Sequence, residues 1–277
     1  MRPLLAVDGD SFAHRSYHAL PKSIRRADGG PAGLLTGIGN LLVRLWEEES
    51  PRAVLVAWDT LFVPTYRHVA LESYQGGREF DPELLEQLEL APRLVESMGF
   101  AVAKTAGYEA DDFLAAAVAF EEARGGTALV ASGDRDTFQL ASERTTILQP
   151  QKGGGVLARI GPAEVRERYA VDPEQVPDFI ALRGDPSDKI PGARGVGAKT
   201  AASLLAQYGS LEAALAENRF VAEADALRLY RHVATMDREA PLPQLEDQQP
   251  TWDRAAVLAG EWGLGRLAGR LEALSSS

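Results

Sequence analysis

Four short apolar stretches punctuate the first half of this chain: "PLLAV" (3–7), "AVLVAW" (53–58), "FAVAKT" (100–105) and "TALVAS" (127–132). They lack the strict alternation of apolar and polar residues that a strand with one wet face shows, so each predicts a strand buried on both faces. Such strands need helices above and below the sheet, and the intervening segments supply them. Leu34, Ile38, Leu41, Leu42 and Leu45 mark one helical face; Phe113, Leu114, Ala117 and Phe120 mark another, closed by Gly125 and Gly126. Strand and helix in alternation predict an α/β fold with a mostly parallel sheet flanked by helices. "TTILQPQKGGGVLARI" reads as two further strands around a glycine-rich turn.

From about residue 162 the pattern changes. "GPAEVRERYAV", "DPEQVPDFIALRGD", "KTAASLLAQYGSLEAALAEN" and "EADALRLYRHVATMDRE" are all helical, separated by Gly and Pro. The expected division is a sheet domain over 1–161 and a helical domain over 162–277.

Each predicted strand leads into acidic residues. Asp8 ends the first, Asp59 comes directly after the second, Glu109, Asp111 and Asp112 come after the third in "GYEADD", and Asp134 and Asp136 come after the fourth; Asp185 and Asp188 lie further on, in "RGDPSDK". In an open parallel sheet the carboxyl ends of the strands open onto one edge, where ligands bind. One acid at a helix start is stabilised by the helix dipole by a few tenths to about 1 kcal/mol. Three within four positions repel, at about 1 kcal/mol per pair in water and nearer 4 where partly buried. Hard oxygen ligands without His or Cys suit Mg²⁺ or Mn²⁺, and a cluster this large suits two ions, the arrangement that stabilises both attacking and leaving oxygens in displacement at phosphorus.

Composition sharpens this. With no cysteine, thiolate metal sites, disulfides and a Cys nucleophile are excluded. No apolar run approaches the length of a membrane span, so a cytoplasmic, membrane-free protein is expected. The net charge of −11, from 29 basic and 40 acidic residues, argues against nucleic acid as a partner. Setting the nine candidate ligands aside leaves 31 acids against the 29 bases, and that objection falls.

"VDGDSFAHRSYHALP", "WDTLFVPTYRH", "YQGGR", "GYEADD", "SGDRDTFQL" and "LRGDPSDKIPGARGVGAKTA" stand in the order and spacing of the bacterial 5′-nucleases. The chain thus resembles, over nearly its whole length, the 5′-to-3′ exonuclease domain of DNA polymerase I and the free-standing flap endonucleases. The resemblance implies a Rossmann-like (PIN-like) nuclease domain followed by a helix-three-turn-helix module, and cleavage of DNA near a 5′ flap, nick or 5′ end. It implies that Asp8, Asp59, Glu109, Asp111, Asp112, Asp134, Asp136, Asp185 and Asp188 hold two divalent ions, and that Arg78 serves catalysis. Arg15, Arg67, Tyr74, Gln75 and Arg78 match positions that meet the 5′ strand or its phosphate, and residues 61–92 match the arch over a single-stranded 5′ end. Pro64, Gly76, Gly77, Pro82 and Pro92 predict an irregular arch.

In "GARGVGAKTA", Gly195 and Gly197 let backbone approach a phosphodiester, while Lys199, Thr200 and a helix N-terminus favour an anion. The resemblance adds K⁺ at this turn. A monomer is expected. One departure stands out: relatives commonly carry lysine after the tyrosine, and here Tyr74 is followed by Gln75, which brings no charge and predicts weaker transition-state stabilisation, on the order of 2 kcal/mol.

Three rivals stand beside this reading, and the first two fit less of the chain. A Mg²⁺-dependent phosphatase using Asp8 as nucleophile and Asp10 as acid leaves Asp59, Asp136 and the glycine turn unexplained. A phosphate-binding nucleotide loop is broken by Ala198 between Gly197 and Lys199. A protein that binds branched DNA without cutting it shares every expected contact and differs only in releasing no product.

Overall fold

The computed structural model describes residues 2–77, 79–151 and 156–276. Its first half runs β1 (Leu4–Asp8), α1 (Gly9–Ala19), α2 (Gly33–Glu49), β2 (Ala53–Ala57), α3 (Tyr66–Ala70), α4 (Pro82–Ser97), β3 (Ala101–Ala103), α5 (Ala110–Ala123), β4 (Ala128–Ala131), β5 (Thr145–Pro150) and β6 (Leu157–Ile160). Helices come next: α6 (Pro162–Tyr169), α7 (Val176–Arg183), α8 (Ala198–Tyr208), α9 (Leu211–Ala216), α10 (Ala224–Ala234), α11 (Trp252–Glu261) and α12 (Gly265–Ser275). The expected glycine-rich turn between β5 and β6 lies largely outside the described residues, as does Arg78.

The six strands form one sheet in the order β3-β2-β1-β4-β5-β6. All pair in parallel except β5 with β6. The chain moves outward from β1 to β2 and β3, then returns to β4 on the other side of β1. That reversal opens a crevice at the carboxyl ends of the central strands.

Two cores explain why the strands read as uninterrupted apolar runs. Leu4, Ala6, Leu55 and Val130 point to one face, with Phe113, Leu114 and Ala117 of α5, and this core continues without a break into Phe179, Ile180, Leu205 and Leu227 of the helical module. Leu5, Val7, Val54, Val56 and Ala131 point to the other, under Leu35, Ile38 and Leu42 of α2 and Leu88 and Leu94 of α4. Phe120, expected on the buried face of α5, is 40% exposed and lies beneath the Arg124 guanidinium instead.

The last two helices return to the sheet domain. Trp252, Leu258, Leu267 and Leu271 join the second core, and Trp252 meets Phe100 and Trp46 edge-on at 5.7 and 6.3 Å. Buried Arg52 reinforces the return, pairing with Glu121 and donating to the Leu245 carbonyl at 2.7 Å. Residues 252–275, read from sequence as part of the second domain, therefore cover the first.

The segment 61–92 is less irregular than its prolines suggested. Gly76 and Gly77 do lie in a turn, and Pro64 stands in an irregular stretch just before α3. Pro82 occupies the first turn of α4, where no intrahelical N–H is missed, with Asp81 capping the Glu83 N–H at 2.9 Å; Pro92 sits inside the same helix.

Candidate active site

Each acid reaches the crevice for a local reason. Asp8 ends β1 and caps α1, accepting from the Ser11 N–H at 2.9 Å and the Ser132 hydroxyl at 2.6 Å. Only glycine allows α1 to start so close to β2: a Cβ on Gly9 would meet the buried Trp58 ring at 2.6 Å. Asp59 accepts from the Ala110 N–H at 2.7 Å, tying β2 to the start of α5. Asp185 and Asp188 sit on a loop pinched by the Asp185–Ile190 bridge and by Gly184 and Gly192, both at positive φ; a Cβ on Gly192 would collide with the Gly184 backbone.

Together Asp8, Asp59, Glu109, Asp111, Asp134, Asp136, Asp185 and Asp188 line one open cavity of about 940 Å³. Asp10 joins them and was missed as a candidate ligand; it accepts from the Asp59 N–H at 2.7 Å. Its signal was the Asp-Gly-Asp spacing, since the second acid falls in the first turn of α1 beside the first.

Asp112 does not join them. It is fully buried on the opposite side of α5, where both its oxygens are held by Arg67 at 2.7 and 2.8 Å and also accept from the backbone N–H groups of Asp237 and Glu109. Consecutive helical residues point about 100° apart, so Asp111 and Asp112 cannot share a face. Arg67 is correspondingly no exposed phosphate contact. It is 3% exposed, donates to the Val233 carbonyl at 2.9 Å and covers the Tyr66 ring.

Tyr74 is also buried, donating to Glu109 at 2.9 Å, while Gln75 donates to the Tyr74 hydroxyl at 3.0 Å and to Asp188 at 3.1 Å. Both line the cavity, but as its wall. Arg15 is exposed, bonded to the Gln151 carbonyl, and faces a separate hollow of about 410 Å³ with Arg44 and Arg270. Gly195, Gly197, Lys199 and Thr200 form an exposed turn and helix start, and Ala198, the first residue of α8, lines the acidic cavity itself.

The carboxylates strain against one another. Burial, then the charges of Asp59 and Asp134, push Asp8 up to about 7, against hydrogen bonds from Ser132 and Ser11 that pull it down. Burial followed by Asp59 raises Asp10 well above the usual carboxylate range; burial followed by Asp134 does the same to Asp111 and Asp136. Arg183 and Arg135 border the cavity, but Arg183 bonds Asp185 at 3.2 Å and its guanidinium lies over Phe179. Among the described residues, nine oxygen-only acids against two such cations form a donor set that fits hard divalent ions. Among the described residues no three or more of these side chains are already gathered closely enough to hold an ion between them.

A raised carboxyl pKa stabilises the fold below the unfolded-state pKa and loses that contribution as pH rises through the folded value. The window for Asp8 runs from its ordinary 3.8 to about 7, worth on the order of 4 kcal/mol if it titrated alone. The metal-free protein is expected to melt at falling temperature as pH rises from about 4 to about 7, the window set by Asp8, with saturating Mg²⁺ flattening the decline. Thermal melts in chelator and in Mg²⁺ check this; a flat profile in chelator contradicts it.

Known proteins bear on this geometry. Residues 3–170 match the family model described as "5'-3' exonuclease, N-terminal resolvase-like domain", and residues 171–254 match "5'-3' exonuclease, C-terminal SAM fold". DNA polymerase I of Mycobacterium tuberculosis is 37% identical over 266 residues, covering 91% of this chain and 29% of that protein. Thermostable DNA polymerase I of Thermus aquaticus is 37% identical over 255 residues, covering 92% and 28%. The chain thus spans under a third of the length of these relatives. Among solved structures, the bacteriophage T5 5′-exonuclease with bound divalent zinc superposes with a TM-score of 0.72 at 18% identity, over 98% of both chains. The catalytic core of Rad2 with DNA substrate gives 0.58 at 15%, over 97% of this chain and 92% of that one. These distant likenesses speak to the fold, a mostly parallel sheet followed by a helical module. The two matches run end to end from residue 3 to 254, and the chain belongs to the 5′-3′ exonuclease family.

Proposed function

We propose that this protein is a structure-specific 5′-nuclease that hydrolyses phosphodiester bonds near the 5′ end of DNA, at a flap, a nick or a free end, using two Mg²⁺ or Mn²⁺ ions. The observation that carries the proposal is the single cavity in which acids from four strand ends face the first residue of α8. Asp8, Asp10, Asp59, Glu109 and Asp111 would hold one ion, and Asp134, Asp136, Asp185 and Asp188 the other. Bound there, such ions would activate a water and stabilise the departing 3′ oxygen.

The chain's own residues do the rest. The Ser132 and Ser11 bonds fix Asp8, and Thr65 and Tyr74 fix the two oxygens of Glu109 at 2.8 and 2.9 Å, so these carboxylates are oriented before substrate arrives. The turn at Gly195–Gly197, with Lys199 and Thr200, would seat backbone phosphates of the duplex without reading its bases, with K⁺ as an additional bridge. The protein would act as a monomer.

Labelled 5′-flap and nicked duplexes incubated with Mg²⁺ or Mn²⁺ test this. Short 5′ fragments from either are expected; free phosphate alone would identify a phosphatase, and a bound but intact duplex a branched-DNA-binding protein. Affinity measured in Ca²⁺ is expected to fall steeply with salt, with a slope of about −0.9 per phosphate contacted. A salt-independent affinity would remove the phosphate-seating role.

A further inference from the structure

The foot of the arch is clasped to the loop carrying Asp185 and Asp188, and the clasp includes a cation that the sequence pattern did not single out. The Gln75 N–H donates to the Asp188 carbonyl at 3.3 Å, the Gln75 amide donates to the Asp188 carboxylate at 3.1 Å, and the Lys189 ammonium donates to the Gly76 carbonyl. Both donor positions of the Gln75 amide are committed, one to Asp188 and one to the Tyr74 hydroxyl. It therefore has neither charge nor a spare donor for a phosphate entering the cavity.

Lys189 has both. Its backbone is left-handed (φ 58°), a conformation unusual for lysine, and it is exposed beside Asp188, which lines the cavity. A neutral carbonyl is a weaker partner for an ammonium than a phosphate oxygen, with charge-assisted bonds roughly twice as strong, so exchanging one for the other is favourable. Arg183, the nearby alternative, is engaged with Asp185.

We propose that Lys189 is a phosphate-contacting residue: it leaves the Gly76 carbonyl for a phosphodiester oxygen of the strand entering the cavity, supplying from the helical module the positive charge that Gln75 lacks. The proposal rests on the nuclease reading for its effect on rate, but not for its effect on binding. It also changes what Gln75 implies, because the charge has moved to a neighbouring loop.

The test compares K189Q, K189R and K189Q/Q75K with the parent on a 5′-flap duplex. Anisotropy in Ca²⁺ reads the salt slope, and single-turnover cleavage in Mg²⁺ reads the rate. K189Q can still bond Gly76 and is expected to flatten the salt slope by about one and slow cleavage by roughly 10- to 100-fold, while K189R stays close to the parent. Adding Q75K to K189Q is expected to recover about tenfold or more. An unchanged slope in K189Q overturns the proposal whatever the rate does, since a slower enzyme with the same slope means that Lys189 only holds the arch. A parent that binds but releases no fragment sinks the nuclease reading, and the slope comparison still decides Lys189.

Discussion

Asp111→Asn removes cleavage, by at least about 10³-fold in single-turnover rate, and at the same time raises the melting temperature of the metal-free protein. The two effects have one origin. Burial, then Asp134 and Asp8, make the Asp111 carboxylate costly in the absence of a countercharge. Neutralising it while keeping its shape relieves about 1–3 kcal/mol near pH 8, or roughly 2–12 °C at the 2–4 °C per kcal/mol expected for a chain of this size. The gain should shrink as pH falls and the native carboxyl, raised by burial and then Asp134, takes up its proton, and it should reverse in Mg²⁺, where the parent has gained a ligand that the variant lacks. Asp134→Ala should share the loss of cleavage, with DNA affinity in both variants close to the parent's. Melts in chelator and in Mg²⁺ beside a cleavage assay check this. A variant that cuts normally, or melts lower than the parent in chelator, contradicts the assignment.

Arg67→Ala has the opposite signature. It leaves Asp112 fully buried with no cationic partner among the described residues, and breaking a buried pair from one side costs about 3–5 kcal/mol. A fall of roughly 10 °C or more is expected with or without Mg²⁺. Replacing both partners, as Arg67→Met with Asp112→Leu, should recover most of the loss because no charge is then stranded. If Arg67→Ala instead melts like the parent and loses only DNA affinity, Arg67 meets substrate after all.

The contrast between Asp111 and Asp112 marks where linear reading stops. The sequence places two acids side by side at a helix start, and both look like ligands. They are separated by about 100° of helix rotation and by a guanidinium delivered from 45 positions away. The four central strands were legible because burial on both faces leaves no room for polar residues, and the acids after them because strand ends in a parallel sheet share an edge. The sequence reading stopped short of α11 and α12, and even where periodicity is read it names only the apolar face of a helix, never the surface that covers it. Here the far side of the sheet between α2 and α4 needed that cover more than the helical module did. Lys189 carried no signal at all. One lysine in a loop is ordinary, and its place beside Gly76 depends on the clasp between Gln75 and Asp188.

That α11 and α12 come home to the sheet has a mechanical consequence. The helical module is anchored on both sides, entering after β6 and leaving through the stretch that Arg52 fastens down. A body hung from a single thread can swivel freely; one moored at two points can only rock about the line between them. Duplex seated on the glycine turn would therefore tilt the module along one preferred axis, and with it the loop that brings Asp185 and Asp188 to the rim.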